Sequence, residues 1–111
     1  MDKLAIVLFE LSNDEIKISI EGRFENETLI VEGYDIGKWV KEFWGDSDYE
    51  YSATVHPAEV EILYRVLAVR VGDKQGMLTE LAKRFNTNTC YSDFRKFLDQ
   101  HKIKHEGFSW S

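Results

Sequence analysis

The chain has one cysteine, Cys90, one proline, Pro57, and no long apolar run. A single cysteine excludes a disulfide within the chain, whereas small secreted domains usually carry several. The apolar run at residues 4–9 is too short for the core of a secretory signal and ends at Glu10. No stretch reaches the roughly 20 apolar residues that a membrane-spanning helix needs. The sequence therefore predicts a cytoplasmic protein with no membrane segment.

Glycine-rich, serine-rich and low-complexity stretches are also missing, so nothing marks a domain boundary. A length of 111 residues fits one domain. Hydrophobic residues make up 43% of the chain and aromatic residues 14%, which is unlike the composition of disordered proteins. We therefore expect residues 1–111 to form a single domain whose core needs neither a disulfide nor a metal ion.

Basic residues are scarce in the first part of the chain. Residues 1–69 contain 15 acidic and 6 basic side chains, whereas residues 70–111 contain 5 acidic and 8 basic ones, and the net charge is −6. Between Glu42 and Tyr64 there are six carboxylates and no Lys or Arg. An acidic field repels phosphates, so we expect a basic protein as the partner and consider nucleic acid unlikely. The basic C-terminal third leaves nucleic acid open as an alternative.

Alternating apolar and polar residues predict the strands. Residues 4–11 are apolar on both alternating faces, which predicts a central strand that is covered on both sides. Residues 16–20 and 29–34 follow after short turns and complete an antiparallel meander. A fourth strand is expected at residues 49–55 and a closing strand in the tail, from Ile103 to Trp110.

Helical periodicity predicts the remaining elements. Asp35 is the expected N-cap of a first helix, whose apolar stripe is Ile36, Trp39, Val40, Phe43 and Trp44. Pro57 suits the first turn of a second helix, Asp73 caps a third, and a fourth covers roughly residues 91–101. The predicted order is β-β-β-α-β-α-α-α-β, an α+β fold with a mainly antiparallel sheet packed with helices.

The segment at residues 44–51, with the sequence WGDSDYEY, is the most distinctive in the chain. It lacks the further oxygen ligands of a calcium loop. One interpretation is structural, because Asp and Gly are favoured in turns and tyrosines pack in cores. The other is a partner surface, because carboxylates attract basic groups and Tyr and Trp are favoured interface anchors. On the second interpretation, the expected partner-binding residues are Trp44, Asp46, Asp48, Tyr49, Glu50, Tyr51, Glu59 and Glu61.

No catalytic residue, metal site or cofactor is expected. His101 and His105 have a spacing seen in zinc sites, but the helix is expected to end between them, so we predict structural histidines. Cys90 is expected to be a buried thiol rather than a nucleophile. Residues 72–76 lack the spacing of a phosphate-binding loop, and no serine-nucleophile or dinucleotide motif occurs.

Two segments carry a resemblance to known proteins. Residues 31–37 (VEGYDIG) and 43–51 (FWGDSDYEY) resemble small uncharacterised bacterial proteins with a GxDxG strand end, a short helix and a WGxxDYEY strand. The similarity extends through the helix at Pro57 to a final helix and an aromatic tail. No activity is established for that group, so the resemblance implies no catalytic residue. The size, acidity and layout are also similar to immunity proteins that neutralise bacterial toxins.

These observations together favour a non-enzymatic, protein-binding protein, most concretely an immunity protein that inhibits a basic bacterial toxin. Its carboxylates are expected to meet Lys and Arg around the active site of the toxin. The alternative is a small housekeeping or ligand-binding domain, or a subunit of a larger assembly. An enzyme is the third hypothesis.

Overall fold

A five-stranded antiparallel sheet organises the chain. The computed structural model describes residues 4–12, 16–37, 48–87 and 89–110. Within these ranges the strands lie in chain order, and each pairs antiparallel with the next. They are β1 (Ala5–Ser12), β2 (Ile16–Glu25), β3 (Thr28–Gly37), β4 (Asp48–Val55) and β5 (Glu106–Trp110). The predicted α+β class and mainly antiparallel sheet are confirmed.

Three helices follow β4 and cover one face of this sheet. They are α1 (Pro57–Val66), α2 (Lys74–Arg84) and α3 (Cys90–Gln100). Their buried side chains join those of the strands in a single apolar cluster, which includes Ile20, Leu29, Val31, Ala53, Val55, Leu63, Met77, Leu78, Leu81, Phe94 and Leu98. No helix in the described ranges is both long and apolar enough to cross a membrane.

The starts of two helices agree with their sequence signals. Pro57 occupies the first turn of α1, where its missing N–H is not needed. The Asp73 side chain caps α2, because its Oδ1 accepts a hydrogen bond of 3.0 Å from the backbone N–H of Gly76. Helix α3 begins at Cys90, one residue before the expected start. These local signals were sufficient because each acts within one turn of the chain.

The prediction that residues 4–11 form a central strand is wrong, since β1 lies at an edge of the sheet. Val7 is opposite Glu21, but Phe9 is opposite Ile20, so Leu8 is an extra residue in a β-bulge. The bulge moves the inward face of β1 from even-numbered to odd-numbered residues. Two consecutive half-strands, each apolar on one face, therefore resemble in sequence one strand that is apolar on both faces.

The predicted helix start at Asp35 and Ile36 is also wrong, because both residues belong to β3. Asp35 lies between Ile18 of β2 and Tyr49 of β4 in the ladder, and β3 continues to Gly37. Because β3 pairs on both sides, its backbone N–H and C=O groups form hydrogen bonds with β2 and β4. These hydrogen bonds outweigh the local preference of Asp35 for a helix N-cap. The rest of the predicted helix, including Trp39, Phe43 and Trp44, lies outside the described residues.

The burial of Leu8 in the bulge can be tested by truncating its side chain and that of its neighbour Val7. We expect Leu8→Ala to lower the free energy of unfolding by about 2–5 kcal/mol, because Leu8 is a core residue with only 2% exposure. Val7→Ala is the matched control and should cost less than about 1 kcal/mol, because Val7 is 47% exposed. Urea denaturation of both variants measures the difference. Equal losses would show that Leu8 does not face the core.

Candidate functional site

An open cleft of about 480 Å³ lies where the start of α3 faces the sheet. It is lined by parts of β2, β3, β4 and β5 on one side and by α3 with its preceding residue on the other. The polar side chains at its wall are those of Asp35, Tyr51, Thr89, Ser92, Arg95 and Ser109. The cleft therefore combines one carboxylate, one guanidinium and several hydroxyls.

Tyr51 and Asp35 form the sheet side of the cleft. The Tyr51 hydroxyl donates a hydrogen bond of 2.8 Å to Asp35 Oδ1. Tyr51 lies directly opposite Gly33, and its ring crosses that residue so closely that a Cβ on Gly33 would overlap it. Burial raises the pKa of Asp35, and the hydrogen bond from Tyr51 opposes this rise. Burial, followed by the interaction with Asp35, raises the pKa of Tyr51, so the tyrosine remains a proton donor.

Tyr91 joins helix α3 to the sheet beside this pair. Its ring meets that of Tyr51 edge-on, with centroids 4.6 Å apart, and its hydroxyl donates to the Ser52 carbonyl at 2.6 Å. The neighbouring Cys90 is fully buried, as expected from the sequence. Burial, with a smaller effect from Asp93, raises the pKa of the Cys90 thiol to about 12. This thiol is therefore protonated at neutral pH and is a poor nucleophile.

Arg95 lies over the backbone of β5. Its guanidinium is so close to Gly107 that a Cβ there would stand 2.7 Å from Cζ, and the same Cζ is 5.8 Å from the centre of the Tyr91 ring. Arg95 Nε donates to His105 Nε2 at 3.4 Å, although this contact is long. Among the residues that the structure describes, no carboxylate pairs with Arg95. In particular, Arg95 and Asp35 line the same cleft without forming an ion pair.

The two histidines near the end of α3 have separate structural contacts. The His105 side chain is only 6% exposed, and its Nδ1 lies 3.1 Å from the Ile103 carbonyl, which suits the tautomer with a proton on Nδ1. The His101 ring packs against that of Phe97, with centroids 4.5 Å apart. Within the described ranges no group of three His, Cys, Asp or Glu side chains is placed to hold a metal ion.

The sheet face opposite the helices is strongly acidic. We call it the acidic sheet face and define it by six glutamates that the strand alternation directs away from the helices: Glu10, Glu21, Glu25, Glu32, Glu50 and Glu106. In the described part of the chain, the strand cations on this face are Lys17 and Arg23. Arg23 forms ion pairs of 3.1 Å with Glu25 and with Glu32, so its charge is already compensated.

Two glutamates of this face oppose each other directly. Glu21 of β2 is the cross-strand partner of Glu32 in β3, and like charges in such positions destabilise a sheet. Arg23 pairs with Glu32, whereas Glu21 has no ion pair within the described ranges. On the same face, Val7 is 47% exposed and Phe108 is 68% exposed. Glu106 is paired with His56 at 3.1 Å, so within the described ranges the acidic sheet face combines three glutamates without an ion pair, Glu10, Glu21 and Glu50, with accessible apolar surface.

The residues expected at a partner surface are separated by the fold. Trp44 and Asp46 lie outside the described residues, and Asp48 and Tyr49 are described only as backbone positions of β4. Glu50 belongs to the acidic sheet face, whereas Tyr51 points to the helix side, is 9% exposed and lines the cleft.

Glu59 and Glu61 lie on α1, on the other side of the sheet from Glu50. Glu59 Oε1 accepts a hydrogen bond of 2.9 Å from the Lys104 backbone N–H. Glu61 forms an exposed ion pair of 3.2 Å with Arg65, one helical turn away. The structure therefore does not bring these two carboxylates together with Glu50 in one surface.

Three residues of these sites were not identified from the sequence. Asp35 was expected to be a helix cap, and nothing in the local pattern linked Arg95 to Gly107. Glu21 did have a signal, because it alternates with the apolar residues of the strand predicted at residues 16–20 and just beyond.

Comparisons with protein-family models, curated proteins and solved structures found no match to this chain.

The Tyr51–Asp35 contact can be tested by titration. We expect Tyr51→Phe to raise the pKa of Asp35 further, because the substitution removes a hydrogen bond that favours the charged carboxylate. Carbon-13 NMR of the Asp35 carboxyl group measures this pKa. Tyr91→Phe is the control, because the Tyr91 hydroxyl donates to a backbone carbonyl instead. An unchanged or lowered Asp35 pKa in Tyr51→Phe would show that the contact is not made in solution.

Proposed function

We propose that the protein is a non-enzymatic binding protein that recognises a basic protein partner through the acidic sheet face. The observation that carries the proposal is the direct opposition of Glu21 and Glu32 on a face with six glutamates and few cations. Such an arrangement is unfavourable for the isolated fold. A basic partner would bring cations to both carboxylates, so its attraction would replace their mutual repulsion. This gives a physical reason for the presence of the Glu21–Glu32 pair.

Electrostatics would contribute mainly to the rate of association. A concentrated negative field attracts a basic surface before contact and orients it, so the on-rate rises at low salt. Ion pairing leaves little positive charge on this face, because Arg23 is shared between two glutamates. The face is therefore suited to Lys and Arg side chains and unsuited to phosphate groups.

Apolar side chains on the same face would provide the desolvated part of an interface. Val7 and Phe108 are exposed at its two sides, on the edge strands β1 and β5. Between them lies Tyr34, the cross-strand partner of Glu50. Phe and Tyr are among the residues that are enriched at protein interfaces. We keep Trp44, Asp46, Asp48 and Tyr49 as proposed contact residues on the sequence argument alone.

The most concrete form of this function is a cytoplasmic immunity protein that inhibits a basic bacterial toxin. Its glutamates would pair with Lys and Arg around the active site of the toxin and exclude the substrate. The alternative is a ligand-binding domain or a subunit of a larger assembly. The cleft that contains Asp35 and Arg95 favours the ligand-binding form of that alternative, because it has the concave shape and mixed polarity of small-molecule sites.

A single substitution tests whether the fold carries a charge repulsion. We expect Glu21→Lys to raise the free energy of unfolding by up to about 1 kcal/mol, because it replaces a like-charge cross-strand pair with an opposite-charge pair. Glu21→Gln should give a smaller gain. Urea denaturation at low salt measures both variants, and added salt should reduce the gain. Destabilisation by both substitutions would refute the repulsion.

A pair of charge-matched variants tests the binding surface. One variant carries Glu21→Lys and Glu50→Lys on the acidic sheet face. The other carries Glu80→Lys and Asp99→Lys on helices α2 and α3, with the same change in net charge. At low salt we expect the first variant to associate with the partner about tenfold more slowly than the second, because local charge complementarity steers encounter. Stopped-flow kinetics with a partner purified by pull-down from the native host measure the rates.

The same experiment separates local recognition from net charge. High salt should reduce the difference between the two variants, because exposed charges are screened beyond about 8–10 Å. If both variants slow association equally, the effect is one of net charge and the acidic sheet face is not the binding surface. If the wild-type rate is indifferent to salt, the partner is not recognised through charge.

A further inference from the structure

The cleft at the start of α3 holds one anionic and one cationic side chain that do not neutralise each other. Asp35 and Arg95 both line it, and no ion pair joins them. The cleft volume of about 480 Å³ lies within the range of known small-molecule sites. Among the described residues neither group forms an ion pair, and two such opposite charges in one concave site define the kind of ligand that can satisfy both.

Both charged groups are held in place by the surrounding structure. The Asp35 carboxylate accepts the Tyr51 hydroxyl, and the Tyr51 ring is seated on Gly33. The Arg95 guanidinium lies over Gly107, where any side chain would displace it. Such preorganisation reduces the entropy that a ligand must overcome on binding.

The charge pattern disfavours ligands with a single type of charge. A simple anion would be attracted by Arg95 but repelled by Asp35. A simple cation would be attracted by Asp35 but repelled by Arg95. A molecule with a carboxylate and an ammonium group satisfies both, because a guanidinium binds carboxylates through two parallel hydrogen bonds. The Ser92 and Ser109 hydroxyls also line the cleft and can contact the rest of the ligand.

We infer that this cleft binds a free amino acid, with the ligand carboxylate on Arg95 and the ligand ammonium on Asp35. The inference is independent of the proposed protein partner, because the acidic sheet face and the cleft use different residues. Binding of the amino acid would affect binding of the protein partner only if the two sites interact. Such an interaction is not required for the cleft to bind an amino acid.

The first test is a titration of the whole chain, labelled with nitrogen-15, with the twenty L-amino acids, β-alanine and γ-aminobutyrate as probes. We expect at least one probe to bind with a dissociation constant of about 1 mM or lower and to shift the backbone amides of Ser92, Gly107 and Ser109. The α-, β- and γ-amino acids differ in the separation of their two charges. The order of their affinities therefore reports the spacing between Asp35 and Arg95. If no probe shifts these amides in a saturable way, the inference is wrong.

The second test removes one ligand charge at a time from the strongest probe. Its N-acetyl derivative lacks the ammonium group, and its amide lacks the carboxylate. Each should bind at least about tenfold more weakly than the parent amino acid, because Asp35 or Arg95 then lacks the ligand charge that it would face. If the N-acetyl derivative or acetate binds as well as the parent, the site is a simple anion site and the zwitterion assignment is overturned.

Substitutions in the protein assign each contact. Asp35→Asn should weaken binding of the parent amino acid about tenfold but leave binding of the N-acetyl derivative nearly unchanged. Arg95→Gln should likewise weaken binding of the parent about tenfold but leave binding of the amide nearly unchanged. These ratios remain informative even if a variant is less stable, because each compares two ligands on one protein. Glu80→Gln on helix α2 and Lys96→Gln on helix α3 are the controls outside the cleft and should change nothing. Equal losses for parent and derivative would contradict the assigned contacts.

Discussion

The pairing of β3 on both sides is the constraint on which the rest of the structure depends. β3 contributes Leu29 and Val31 to the core on one face and Glu32 to the acidic sheet face on the other. Its length also decides where the cleft forms, because the ladder extends past Gly33 to Asp35 and so brings Asp35 within reach of Tyr51. Both candidate sites are therefore consequences of one central strand with two different faces.

The two faces of the sheet follow different physical rules. The helix side carries the apolar core, which includes Leu29, Val31 and Leu78, and Asp35 and Arg95 line its cleft. The opposite side concentrates glutamates, including the Glu21–Glu32 pair. Repulsion between them lowers the stability of the fold by less than burial of the apolar core raises it. Natural proteins keep unfavourable local choices mainly where function requires them. This contrast is the reason why we propose the acidic sheet face for protein recognition rather than helix α1, where Glu61 is already paired with Arg65.

Sequence patterns predicted the elements whose signals are local and failed where long-range pairing decides. The Pro57 and Asp73 signals act within one turn, and both helices begin where expected. The bulge at Leu8 and the extension of β3 through Asp35 depend on partner strands, so periodicity alone misassigned them. The site shows the same division. Glu50 was expected at an acidic surface, but its separation from Glu61 by the sheet, and the contact of Arg95 with Gly107, arise only when distant segments meet.

Carboxylate footprinting by mass spectrometry tests the central claim most directly. Carbodiimide labels accessible carboxylates, and the labelling of each residue is compared with and without the captured partner. We expect the partner to protect Glu10, Glu21 and Glu50 on the acidic sheet face and to leave Glu80 and Asp99 on the helices labelled as before. Protection of the helix carboxylates with continued labelling of Glu21 and Glu50 would contradict the account.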